Sequence, residues 1–431
     1  MNEKRWGVWW GRAVFAAALV LMLLAGVAAQ ARAQTSGRLV VVAANWNTLY
    51  LWQEGDDQPR RIPFYNIANP SELQISPQGD RVLFHYRAPA SDIVEDYKQH
   101  VWMVSIADGR LLYPLVGQIK VAEKPLVDIR DTDGWRWSKD GATLYFNTGH
   151  DTPLGFNPAD DLWHWDVASG EYVPLLPDGQ GGAVVFPPDP ENPWIALASS
   201  GGYGQRSGHI AFYNTKTGAY DPGLRFSHVS TASEWLWYPT VVWLPNGHVR
   251  TAIPRLALQE EQGPVDLFDV VPGSPAELLG TVQANLIWEP IFSPDGEHVL
   301  YTITRATPEG TTTALMVAES DGSDPVEYVA RPSLNFPLRW FPQGERFLYA
   351  SYDEEYHSIL WSGKLGQPPQ RFPAPDVAIT ALTWADEETF VYLTQNEDRN
   401  LTLYYATMGA PDQATPIFTM EGRPFFDAAR P

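Results

Sequence analysis

The stretch Trp288-Glu289-Pro290-Ile291-Phe292-Ser293-Pro294-Asp295-Gly296-Glu297-His298-Val299-Leu300-Tyr301-Thr302-Ile303 reads as strand, tight corner, strand. Ser-Pro-Asp-Gly makes the corner because proline presets φ, aspartate bonds the nearby backbone and glycine accepts a positive φ without steric cost. On either side apolar residues fall at every second position, the period of a strand. The unit returns as Ile75-Ser76-Pro77-Gln78-Gly79, Trp137-Ser138-Lys139-Asp140-Gly141, Trp243-Leu244-Pro245-Asn246-Gly247 and Trp340-Phe341-Pro342-Gln343-Gly344. Degenerate copies stand at Phe186-Pro187-Pro188-Asp189 and Trp384-Ala385-Asp386-Glu387-Glu388. The seven corners lie 44 to 62 residues apart, a period that belongs to propellers or solenoids.

A second hairpin follows each corner. Its strands centre on Leu49, Met103, Trp163, Ala211, Phe268, Leu315, Leu360 and Leu403, with glycine turns from Gly55 to Gly409. Eight such hairpins against seven corners is an informative mismatch. The N-terminal segment supplies three strands of a sheet and no first strand, and the tail Arg423-Pro424-Phe425-Phe426-Asp427-Ala428 supplies one strand with nothing after it. Joining the ends completes an eighth sheet and removes the exposed edges. The expected fold is all-β, an eight-bladed β-propeller closed by both termini. Seven blades is the alternative, if residues 38–64 only cap the ring.

An aromatic-Ser-Pro-Asp-Gly corner followed by a Val-Leu-Tyr type of strand resembles the propeller repeats of TolB-like periplasmic proteins. The resemblance covers nearly all of residues 38–430. It implies a propeller that binds a partner, or one that gates an enzyme as in prolyl oligopeptidase relatives. TolB-like proteins carry an N-terminal α/β domain and six blades, whereas the repeats here begin almost directly after the leader.

That leader has Lys4, Arg5 and Arg12, an unbroken apolar run from Ala13 to Ala29, then Ala31-Arg32-Ala33, a small-x-small cleavage pattern. The reading is a signal peptide over residues 1–33 and a single propeller domain over 34–431, exported to the periplasm or the exterior. An uncleaved anchor is the rival, since the run just reaches the length that spans a bilayer. Aromatics at 13% and hydrophobics at 44% exclude disorder and predict a substantial core. There is no cysteine, so disulfides are excluded and the core must hold the exported fold. The net charge of −21 argues against nucleic acid and anionic membrane as partners.

Catalytic signals are absent. The chain has no Gly-x-Ser-x-Gly elbow, no phosphate loop, and no room for a hydrolase domain beside the repeats. The nine histidines are scattered without zinc spacing. Asp128, Asp131 and Asp133 before Gly134 lack the remaining ligands of a calcium loop. No catalytic residue, metal or cofactor is therefore assigned.

Recognition groups are aromatic and basic. Trp137, Trp243, Trp340 and Trp384 share one repeat position and read as core. Trp135, Trp235, Trp237 and Trp288 lie at or before first strands, nearer the mouth where loops converge. Arg136 and Arg339 each precede a corner aromatic and fall in blades three and seven, facing each other across the ring. They suit an anion, or an inter-blade ion pair. Tyr352 stands in one of the long loops between second and third strands, which project opposite the corners. The expectation is a monomeric, non-catalytic binder of a protein, a cell-envelope component or a glycan. A lyase or hydrolase using channel-mouth residues is the alternative. If the leader is cleaved, N-terminal sequencing of the exported protein should start near Gln34, whereas Met1 on membrane-bound protein would establish an anchor.

Overall fold

The corner units fold into antiparallel sheets whose four main strands follow chain order, with one extra strand segment in each of blades 3 and 7. The computed structural model describes residues 37–431 apart from 46–47, 63–70, 88–98, 116–117, 120–126, 129–131, 153–154, 159, 202–206, 232–235, 288, 309, 331, 334–337, 353–357, 372–377, 387, 396–399, 408–412 and 421–424. Blades 2 to 8 occupy residues 71–115, 132–176, 183–226, 241–285, 291–330, 332–371 and 378–420. The leader lies outside the described residues. No helix among those described is long and apolar enough to cross a membrane.

Blade 1 is built from both ends of the chain. Its strand order is Arg60–Ile62, Thr48–Gln53, Val40–Asn45, Phe425–Ala429. The last pair is antiparallel, from Val40 opposite Ala429 to Ala44 opposite Phe425. The tail is thus the missing first strand, the ring has eight blades, and the seven-blade alternative is discarded. Beyond the ladder, Gly37 N–H donates to Pro431 O at 2.9 Å. Arg430 bridges two blades, with 2.9 Å contacts to Glu54 of blade 1 and Asp386 of blade 8.

The core is a ring of clusters, each shared by neighbouring blades. Leu39, Val41 and Ala43 pack against Val391, Leu393 and Leu403 of blade 8. Val40, Val42 and Ala44, on the other face of the same strand, pack against Val82 and Phe84 of blade 2. A strand buried on both faces reads as a continuous apolar run rather than an alternating one. Burying each such valine is worth about 1.5–3 kcal/mol. The corners take the form their residues dictate. Gly79, Gly141, Gly247, Gly296 and Gly344 all have φ between 63° and 83°. In the fullest copy Gly296 N–H donates to Ser293 O, and His298 N–H to Ser293 Oγ.

Three local features depart from a plain four-stranded repeat. Blade 6 continues past its corner strand as a long hairpin that pairs Thr304 with Thr313 and Thr307 with Gly310. The loop after Asn147 likewise extends as strand and folds back, with Gly149 opposite Pro158. Threonine-rich, β-branched segments favour this pleated pairing. Arg250, which stands where other repeats place an apolar residue, lies 3.0 Å from Asp269, which also accepts from His248 at 2.7 Å. An ionic group has replaced an apolar pair inside blade 5.

Deleting residues 425–431 should expose the Val40–Ala44 edge, so the truncated protein should aggregate or melt far below the full chain. Trp340→Ala should cost about 3–5 kcal/mol in denaturant unfolding, because its buried ring fills the junction of blades 6 and 7.

Candidate functional site: the axial channel

Each first strand is the terminal member of its sheet, and first strands of neighbouring blades touch, as Phe425–Ala429 touches Ser71–Ile75. One edge of each therefore faces the axis with no strand beside it. The register aligns Asp427, Gln74, Arg136, Val185, Val242, Ile291, Arg339 and Thr383, each one residue before its corner position. Arg136 and Arg339 are the basic members of this ring and Asp427 is its carboxylate; the two arginines lie four blades apart in a ring of eight and so opposite each other.

Both arginines are exposed between buried neighbours on the innermost strand. Arg136 Nη1 donates to Trp135 O at 2.8 Å. Arg339 is solvent-accessible, yet the surrounding protein desolvates its guanidinium and lowers its pKa. That combination describes the wall of a narrow channel. Among the described residues Arg339 has no acidic partner.

Two carboxylates missed in the sequence stand on or just before innermost strands of other blades. Asp427 Oδ2, from blade 1, accepts Ile75 N–H of blade 2 at 2.7 Å. Burial pushes its pKa up to about 6, against the lowering effect of that hydrogen bond. Glu289 lies at the loop-face end of blade 6. Its Oε2 accepts Thr240 Oγ1–H at 2.7 Å and Thr240 N–H at 3.2 Å from blade 5. Burial raises its pKa to about 7, although these bonds and the neighbouring Trp237 indole favour the charged form. The Trp237 N–H itself makes no well-formed hydrogen bond. Side chains thus cap the free strand edges across blade junctions. The indoles do the same for carbonyls: Trp243 Nε1 donates to Val185 O at 2.9 Å and Trp340 Nε1 to Ile291 O at 2.8 Å.

The expected mouth aromatics are placed differently. Trp135 is 1% exposed and stacks on Phe146 at 4.2 Å, because it lies two residues before Trp137 and shares its inward face. Trp237 is 5% exposed and packs edge-on against Phe226. Both are core side chains rather than exposed anchors. Trp235 and Trp288 lie outside the described residues, as does the side chain of Tyr352. Trp137, Trp243 and Trp340 are buried as expected, and Trp384 packs partly buried on its cluster. Among the described residues no group of three or more histidines and carboxylates is gathered as a metal site would need.

No protein family and no curated protein matches the chain. Solved β-propellers do. The propeller domain of the trilobed protease from Pyrococcus furiosus is 11% identical, with TM-score 0.47 over 82% of this chain and 97% of its own. Porphyromonas gingivalis dipeptidyl peptidase 4 is 12% identical, with TM-score 0.48 over 87% of this chain and 56% of its own. TolB from Acinetobacter baumannii is 11% identical, with TM-score 0.31 over 76% and 61%. These likenesses concern the fold and single out no one family.

Glu289 makes stability depend on pH. Its folded pKa of about 7 exceeds the ordinary carboxyl value of 4.5, so between the two the native state retains a proton that the unfolded chain has released. Its contribution is full below about pH 4.5 and declines until about pH 7. Thermal melts between pH 4 and pH 8 should show this decline, and Glu289→Gln should flatten it while keeping an acceptor for Thr240.

Proposed function

We propose that this chain is an exported, non-catalytic propeller that binds a protein or cell-envelope component through its loop face, with an acidic group of the partner entering the channel. The observation that carries this reading is Arg339, a solvent-accessible and desolvated guanidinium with no acidic partner among the described residues. An arginine in low-dielectric surroundings gains most from a carboxylate or phosphate that meets its planar fork. Arg136 offers a second guanidinium from the opposite wall. Glu289 and Asp427 oppose an incoming anion less than ordinary carboxylates would, because burial favours their neutral forms. Binding should therefore tighten as pH falls from 8 to 6.

A propeller enzyme is the second reading, resting on Glu289, whose pKa near 7 suits proton transfer. One experiment separates the two. Purified wild-type protein and the Arg136→Gln/Arg339→Gln double variant are titrated against immobilised envelope proteins and defined acidic and neutral glycan fragments. The binding reading predicts an acidic ligand that the double variant holds at least about tenfold more weakly, and that is recovered unchanged. Equal binding by the two proteins contradicts the channel site, and a chemically altered ligand establishes the enzyme.

A further inference from the structure

On the opposite, corner face a cavity of about 570 Å³ opens where blades 1, 2 and 3 meet. Its apolar lining comes from Met103, Ile106 and Val167, all buried. Arg60, Arg81 and Arg110 also line it. In a chain of net charge −21, three arginines on one cavity are a local reversal of sign. Asp80 also lines it and Asp108 stands beside Arg110, so three arginines against these two carboxylates leave the lining net positive. Arg60 donates to the carbonyls of Ala107 at 3.2 Å and Ile106 at 3.1 Å, which aim the guanidinium without cancelling its charge. Arg81 Nε lies 3.4 Å from Asp80, whose other oxygen accepts Ser76 Oγ–H. Arg110 Nε lies 3.9 Å from Asp108, and its side chain is 72% exposed. Both contacts are loose, so both guanidinia can turn to a ligand.

We propose that this cavity binds a small amphipathic organic anion, with an apolar body over Met103, Ile106 and Val167 and a phosphoryl or carboxylate head among the three arginines. The volume suits a small ligand, and the division of apolar and cationic lining specifies one with both parts. The site is independent of the axial channel and does not rest on the function proposed for it.

Isothermal titration with phenyl phosphate, inorganic phosphate and phenol tests this on the full protein. Phenyl phosphate should bind, and inorganic phosphate and phenol at least about tenfold more weakly, since each lacks one of the two contacts. Affinity for phenyl phosphate should fall as salt rises. Arg81→Gln/Arg110→Gln should lose binding by about tenfold or more with the melting temperature unchanged, because neither side chain is held by a tight bond. Arg136→Gln/Arg339→Gln should bind as wild type does. No binding of phenyl phosphate at millimolar concentration, phenol binding equally well, or full affinity in the Arg81/Arg110 variant would each overturn the proposal.

Discussion

The free edge of each innermost strand is the constraint on which this ring depends. A propeller pairs its strands outward from the axis, so the first strand of every blade leaves one row of N–H and C=O groups facing the channel. A polar group buried there without a partner costs about 1–3 kcal/mol. This chain meets that demand across blade junctions, with side chains of one blade bonding the strand edge of the next. Asp427 takes the N–H of Ile75, Glu289 that of Thr240, Trp243 and Trp340 give their N–H groups to Val185 O and Ile291 O, and Gln74 donates to Trp135 O at 2.8 Å. These bonds staple neighbouring blades at the radius where they lie closest.

Closure and channel chemistry both follow. A ring held by blade-to-blade contacts has no natural starting point, so its two ends must be joined as firmly as any junction inside it. The Val40–Asn45 strand achieves this with Phe425–Ala429 on its inner edge, blade 8 on one face and blade 2 on the other. Arg430 adds an ionic latch across the same seam. Stapling also has an electrostatic cost, visible in the raised pKa values of Asp427 and Glu289. Arg339 is the exception, because it carries the same desolvation without an acidic partner among the described residues.

The architecture was legible because it is periodic. Corners with proline and glycine at set offsets, β-branched runs and an imbalance of hairpins over corners sufficed for eight blades and for closure by the tail. The positions of Arg136 and Arg339 opposite each other were legible for the same reason, since equal repeat positions become equal heights in the channel. Contacts between blades were not. Glu289 and Asp427 look like ordinary surface acids beside their own corners, and only the neighbouring strand edge reveals their use. Trp135 and Trp237 were misjudged because closeness to the mouth along the chain was weighed above the face of the strand. Trp135, two residues from Trp137, had to point inward with it. The Arg250–Asp269 pair was legible only as an irregularity, because its partner lies on the next strand.

A scaffold that spends axial polar groups on stapling and shows one arginine without an acidic partner among the described residues is suited to holding an acidic group where the blades converge. The measurement that bears most directly on this is a crystal structure of the protein with succinate, a small dicarboxylate able to enter the channel. The account predicts a carboxylate hydrogen-bonded to the Arg339 guanidinium at the height of Arg136, with the Asp427–Ile75 and Glu289–Thr240 bonds intact. A channel without succinate, in which Arg339 is turned onto a carboxylate or carbonyl of the protein itself, would contradict it.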